Sequence, residues 1–388
     1  MSYILGIGAF VIWGFCFLFN RKYAPIACLL FIISDYWFGI SASFTTATKF
    51  MILLTFVFSV GRYVSKSLLL KYWPLIVLFC IQIYVVYQNL GGEYTTSAFF
   101  TSFFAIALGF SAFLIPWNER NRYIGLVALA WSSIACVVMG VLQKGALFIN
   151  ARIVSGTWLP HTPGSLAVVG MFACIILKER YEKAFYRYLL FVNFIIIAAA
   201  QVRGMLMCGA IIIIPELCRM FFKMKRNQVL LVVGIIVCGV VVLPDLILPL
   251  LARTFTSSGT INSSGRLEAW PYFLKLSEDY RVLGMGIGRI KTFENQELVN
   301  FPSAHNEYLR FLVETGIVGL LLMFTQFRIF FKNIYSEFIL PHQKYYLVFL
   351  YIGFAVLAFV ENVMTGHLFW VPFCMLLSLS WERENIER

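Results

Sequence analysis

The segment His305-Asn-Glu-Tyr-Leu-Arg-Phe-Leu-Val-Glu-Thr-Gly-Ile-Val-Gly-Leu-Leu-Leu-Met-Phe-Thr-Gln-Phe-Arg-Ile-Phe-Phe331 decides the fold class. It begins polar, continues mainly apolar from Phe311 to Phe327 and closes on the basic residue Arg328 among aromatics, and its 27 residues exceed the roughly 20 that a helix needs to cross a bilayer core. At helical spacing Glu307, Arg310 and Glu314 fall within one sector. That side of the span must face protein or water, because unpaired charges against lipid are expensive. A span with such a stripe belongs to a bundle of several helices.

Composition extends this reading to the whole chain. Of 388 residues 60% are hydrophobic and only 13% charged, with mean hydropathy +0.82, far too little polar surface to coat a water-soluble globule of this length. Hydropathy places spans near 3–20, 24–41, 45–61, 72–89, 96–116, 123–143, 161–178, 187–201, 204–221, 227–251, 305–331, 345–362 and 366–381. The expectation is an all-α, polytopic transmembrane helical bundle of about 12–13 spans. Residues 1–388 form one integral membrane domain, and residues 252–304 form a large outer loop with short helices between spans. The short alternating segments of a porin-like barrel are absent. The stretch Tyr3–Phe19 lacks a basic leader and a small-residue cleavage site, and reads as an uncleaved first span. The nine cysteines fall in or beside apolar spans without CxxC spacing, as small core residues do.

The formal charge of +12 is mostly topological. Basic clusters alternate along the chain: Arg21/Lys22; Arg62, Lys66 and Lys71; Arg120/Arg122; Lys178, Arg180, Lys183 and Arg187; Arg219, Lys223, Lys225 and Arg226; Arg328, Lys332 and Lys344. The positive-inside rule puts these loops, and the tail with Arg383 and Arg388, in the cytoplasm, and it removes the need for a nucleic-acid partner. The remaining loops then face outward. Lys49, Lys144, Arg152, Arg203, Arg253, Arg266, Lys275, Arg281, Arg289, Lys291 and Arg310 are left on that side or in spans, where topology predicts few cations.

Lys49 and Arg203 sit at outer ends of apolar segments, where snorkelling to the headgroups competes with a functional role. Arg203 lies in a short turn, Arg152 precedes the span beginning at His161, and Arg266 opens Ser264-Gly-Arg-Leu-Glu-Ala-Trp270 in the large loop. In that loop residues 264–277 are expected to form a helix capped by Ser263 or Ser264 and kinked at Pro271. Three guanidiniums from three loops at one membrane face make a fork-shaped anion site, suited to diphosphate oxygens without a metal ion. His305, where the large loop meets its span, has the near-neutral chemistry to take a proton from a sugar hydroxyl. A capping or interfacial role is its bland alternative. Gly284-Met-Gly-Ile-Gly288 supports at most a tight turn or amides near a phosphate. A zinc cluster of His161, His305 and His367 has no motif spacing behind it. Glu93 and Glu361 read as solvated loop carboxylates that could assist proton transfer.

These residues resemble a known superfamily, the bacterial O-antigen ligases and O-antigen polymerases (WaaL and Wzy). His305-Asn306, nine residues, then Gly316-x-x-Gly319 is similar to the ligase-type His-[Asn/Ser/Gln]-x9-Gly-x-x-Gly pattern. Ser264–Trp270 followed by Leu283-Gly-Met-Gly-Ile-Gly288 resembles the large periplasmic loop, and the Gly-Arg-Leu-x-x-Trp form resembles polymerases. Arg152 before Gly156, and Gln201-Val-Arg203-Gly204, fall where the superfamily places arginines.

The resemblance implies a GT-C-like membrane glycosyltransferase of the bacterial inner membrane, with its active site facing the periplasm and no cofactor or metal. Its donor would be an undecaprenyl-diphosphate-linked oligosaccharide, attacked with inversion by the hydroxyl of a glycan or lipid A-core acceptor. Membrane lipid and a chain-length regulator protein are the other expected partners. Arg152, Arg203, Arg266 and Lys49 would bind the diphosphate, with Arg266 also stabilising charge on the leaving group. His305 would act on the acceptor, supported by Asn306, Glu307 and Arg310. The leading expectation is an O-antigen or surface polysaccharide polymerase; a ligase is the runner-up, and a transporter of lipid-linked sugars is the reading from another class.

Overall fold

A computed structural model of the chain describes residues 2–20, 23–34, 55, 66–89, 96–115, 117–149, 152–154, 161–222, 265–292, 303–365 and 367–383. The expected spans at 45–61 (residue 55 apart) and 227–251 lie outside the described residues, as do Lys49, Glu93 and Ser263/Ser264.

The fold is all-α and polytopic. Among the described residues four helices are long and apolar enough to cross a membrane: Glu119–Lys144, His161–Arg180, Arg203–Phe221 and Glu307–Ser336. Shorter apolar helices accompany them, among them Trp73–Asn89, Thr96–Ser111, Phe185–Ala200, Tyr345–Val360 and His367–Leu379. Among the described residues the sheet content is one hairpin, Phe148–Ile149 against Arg152–Ile153, with Ile149 opposite Arg152.

His161–Arg180 is the axis of the bundle. Thr162 through Lys178 are buried, against Glu119–Lys144, Phe185–Ala200, Arg203–Phe221 and His367–Leu379. Polar side chains tie its neighbours, since in lipid such bonds and close packing replace the hydrophobic drive between helices. Asn193 donates to the Ala130 carbonyl (3.1 Å) and accepts from the Ser133 hydroxyl (2.6 Å), all inside the bundle.

The Glu307–Ser336 helix breaks at Gly316, where φ is 64° and ψ is −174°. The break frees backbone groups that must find partners in a dry interior. The 281–286 segment of the large loop supplies them. Ile317 and Val318 amides donate to the Arg281 and Val282 carbonyls (2.8 and 3.2 Å), while Met285 and Gly286 amides donate to the Val313 and Glu314 carbonyls (3.0 and 2.9 Å). Gln82 braces the loop, donating to the Leu283 carbonyl and accepting from the Ile287 amide, both at 3.0 Å. The glycine-rich stretch is therefore a docking turn. The amides of Met285, Gly286 and Ile287 are spent on protein, which removes the phosphate-cradle option left open by the sequence.

The expected loop helix runs over Arg266–Asp279 and continues through Pro271. Its N-cap position is Gly265, with left-handed φ of 78° and no side-chain cap.

The bundle separates two polar ends. At one, the basic residues attributed to topology are held by carboxylates: Lys178 by Glu216 and Glu179, Arg219 by Glu179 (2.5 Å), Arg180 by Glu119 (3.1 Å) and Glu382 (2.7 Å). Glu216, fully buried, also accepts from the Tyr346 hydroxyl (2.9 Å). Positive charge there is part of helix packing as well as of topology.

Candidate functional site

The other end gathers residues from distant parts of the sequence. His161 and Arg203 open their helices, Glu361 follows the last turn of Tyr345–Val360, Arg266 opens the loop helix, and His305 lies just before Glu307–Ser336. The tight turn at Gln201 and Val202 puts Arg203 at a helix start. Gly204 then lets that helix approach the end of Tyr345–Val360. A Cβ at Gly204 would lie 2.9 Å from Val360 Cγ2 and 3.3 Å from Glu361 Cγ. Packing of the helices thereby sets Arg203 beside Glu361.

Glu361 is the hub. One carboxylate oxygen accepts from Arg266 Nη2 at 2.8 Å, and the other lies 3.3 Å from His305 Nδ1. Its side chain is 17% exposed. Burial pushes its pKa up, but the His305 hydrogen bond and the Arg266 charge outweigh burial and hold it below the usual carboxylate range. Arg203 lies within electrostatic reach of Arg266 and Glu361; His161 lies within reach of Glu361, Arg152, His305 and Arg266. Arg152, Arg203 and Arg266 thus reach one neighbourhood from a hairpin, a helix start and a loop helix.

His305 is placed differently from a first helical residue. The helix begins at Glu307, and Asn306 is its N-cap, accepting from the Leu309 amide at 3.0 Å. His305 precedes the cap with a left-handed φ of 45°. Its side chain is 43% exposed, open to a reactant while held by Glu361.

Glu307 and Arg310, expected beside His305, are bound elsewhere. Arg310 pairs with both Glu307 and Glu314 in a triad whose side chains are at most 4% exposed. The stripe read from helical spacing is real, and its members bond mainly to one another because a buried guanidinium requires carboxylates on both sides. Arg281, one of the outer cations, meets Glu278 at 4.0 Å in a mutually exposed pair. Among the described residues no group of three or more His, Cys, Asp and Glu side chains is arranged to hold a metal ion.

Glu361, read from sequence as a loop carboxylate, is the residue whose importance was underestimated. The signal was its position at the outer end of an apolar span, the same signal that singled out Arg203. Sequence pattern alone gives no contact for Trp270 or Asn362: the Trp270 indole donates to the Ala304 carbonyl (2.9 Å), and the Asn362 amide donates to the Ser303 hydroxyl.

A comparison with protein families matches residues 188–324 to Wzy_C, described as O-antigen ligase. The match spans Arg203, Arg266, His305 and the broken helix through Gly319, and leaves Arg152, His161 and Glu361 outside. No curated protein matches the chain. The apolar bundle, the arginines at its one end and the His305–Gly319 segment agree with that match, and residues 188–324 are similar to the O-antigen ligase domain of the WaaL/Wzy superfamily.

Proposed function

We propose that this membrane protein is a surface-polysaccharide polymerase. It transfers an undecaprenyl-diphosphate-linked glycan onto an acceptor sugar hydroxyl at the periplasmic face of the bacterial inner membrane. The observation that carries the reading is the contact of one carboxylate, Glu361, with both Arg266 and His305, inside a cluster that includes Arg152, Arg203 and His161.

The chemistry follows from the groups present. The arginines receive the diphosphate and offset the charge that grows on it as the anomeric carbon–oxygen bond breaks. Glu361, ionised, accepts the Nδ1–H of His305, which leaves Nε2 as the acceptor nitrogen. The acceptor oxygen attacks the anomeric carbon from the opposite side, inverting it, and its proton passes to Nε2. Undecaprenyl diphosphate departs with the bonding electron pair. Cationic charge from arginine serves where a metal ion otherwise would, so chelators should leave the rate unchanged.

The Gly265-Arg-Leu-Glu-Ala-Trp270 form favours the polymerase. A ligase acting on lipid A-core is the second reading, favoured by the description of the matched family. Transport is disfavoured because Arg152, Arg203, Arg266, His305 and Glu361 gather at one end of the bundle, whereas transporters hold their substrate site near the midplane.

Purified protein given lipid-linked repeat units alone should produce a ladder of lengthening glycans, and His305→Ala and Arg266→Ala should abolish it. Product formed only after lipid A-core is added would overturn the polymerase. Full activity in both variants would overturn the site.

A further inference from the structure

We propose that Trp270 is a positioning residue for His305, its indole N–H holding the backbone bend that carries the imidazole to Glu361. The inference rests on the reading above, in which His305 works on the acceptor hydroxyl.

The bend needs holding. His305 has φ of 45°, a left-handed conformation that is unfavourable for a non-glycine residue. It persists only where surrounding contacts over-determine it. Four ties converge on residues 303–306. Asn362 donates to the Ser303 hydroxyl, the Trp270 indole donates to the Ala304 carbonyl at 2.9 Å, the imidazole meets Glu361, and Asn306 caps the following helix. Of these, the Trp270 bond acts on the backbone immediately before His305 from another element.

Trp270 is also the tie that links the two halves of the site. It stands four residues after Arg266, one turn along the same helix and on the same face. One rigid element therefore presents a guanidinium to Glu361 and an indole to the His305 bend. The indole ring meets Phe359 edge-on, with centroids 5.1 Å apart and planes at 70°, two residues before Glu361. Ala269, Phe273, Ala304 and Leu309 pack as an apolar cluster against it. The ring is seated by these contacts and the N–H is aimed by them. Indole suits the position because it is a donor only, and a carbonyl needs a donor.

Trp270→Phe separates the two contributions, keeping an aromatic ring against Phe359 and deleting the N–H. In full-length protein supplied with lipid-linked repeat units, kcat should fall about 10- to 100-fold, the scale of a reacting group misplaced by about an ångström. KM for the lipid-linked substrate should stay within about twofold, because the arginines are untouched. A second readout needs no turnover: the rate at which diethyl pyrocarbonate modifies His305, followed by peptide mass mapping, with His342 at the opposite end as internal reference. The His305-to-His342 ratio should change in Trp270→Phe.

Wild-type kcat and an unchanged ratio, with His305→Ala inactive, would overturn the positioning role and leave the proposed function standing. Full activity in His305→Ala would overturn the proposed function itself, and with it the role given to Trp270. Where Trp270→Phe fails to assemble, Phe359→Leu loosens the edge contact while retaining the indole. The same split at smaller size is expected there, and an unchanged kcat would count against the proposal.

Discussion

Gly316→Ala tests the joint on which the site end depends. At φ 64° and ψ −174° the backbone lies in a region essentially reserved for glycine, at a cost of about 1–3 kcal/mol for any other residue. The new Cβ would lie 2.3 Å from the Val282 oxygen, 2.4 Å from the Val282 carbonyl carbon and 2.7 Å from the Gly284 nitrogen. All three are backbone atoms, so no side chain can swing aside. The loop must withdraw, and the bonds between 281–286 and 313–318 weaken with it. Each is worth about 0.5–1.5 kcal/mol net, so strain and lost bonds together come to about 3 kcal/mol or more. Two glycines calibrate the measurement. Gly145 has φ of 67° with nothing within 4 Å of its Cβ position, so Gly145→Ala should cost only the backbone term of about 1–2 kcal/mol. Gly14 lies in the Ser2–Phe19 helix with open space around it, and Gly14→Ala should be neutral or stabilising by up to about 1 kcal/mol. Denaturant unfolding of the detergent-solubilised variants should rank them in that order. A Gly316→Ala protein no less stable than Gly145→Ala would refute the docked turn.

Further outcomes follow from the two polar ends. Because the folded-state pKa of Glu361 is lowered, its pairing with Arg266 is complete above the ordinary carboxylate range and is lost only as pH falls through that lowered value. Glu361→Gln keeps the shape of the side chain but removes the charge that holds Arg266 and His305, so turnover should fall and the loss on acidification that the carboxylate causes should disappear; the same acid limb in wild-type and Glu361→Gln pH–rate profiles would refute the assignment. Arg266→Lys exchanges a bidentate fork for a point charge and should raise KM for the lipid-linked substrate about tenfold, which steady-state kinetics would contradict if KM were unchanged. At the opposite end, Glu216→Ala leaves Lys178 with Glu179 alone and takes the acceptor from the Tyr346 hydroxyl, and should destabilise the protein by about 1–3 kcal/mol. Activity per folded molecule should remain, and a selective loss of turnover would show that the two ends are coupled.

Hydropathy was enough to read the bundle because lipid imposes one requirement on every span, and that requirement is local in sequence. The same locality made Arg203 legible, as a cation at the end of an apolar segment, and made the Glu307, Arg310 and Glu314 stripe legible from helical spacing. Pairing was not legible. Glu361 meets Arg266 across 95 positions and His305 across 56, and no periodicity reports a contact at that separation. Gly284–Gly288 carried the composition of a turn, but whether its amides faced an anion or a broken helix depended on Gln82, about 200 residues away. The left-handed bend at His305 is held by partners at distant positions, Trp270, Glu361 and Asn362, which local sequence does not report.

The site combines two mechanically different supports, and this bears on how it could work. Arg203 and Glu361 are fixed by the close crossing of two apolar helices at Gly204, a contact that only van der Waals packing maintains. Arg266 and Trp270 arrive on a loop helix outside the spans, and the loop after it is anchored in the break of Glu307–Ser336 by backbone hydrogen bonds. Glu361 bonds to the loop helix through Arg266 and to the bend before the broken helix through His305. An anion arriving among the arginines competes with Glu361 for Arg266. The carboxylate then keeps its contact with His305 and holds the imidazole in orientation while the diphosphate is in place. The exchange requires the loop helix to stay seated while its guanidinium changes partner, and the Trp270 bond to Ala304 serves that requirement.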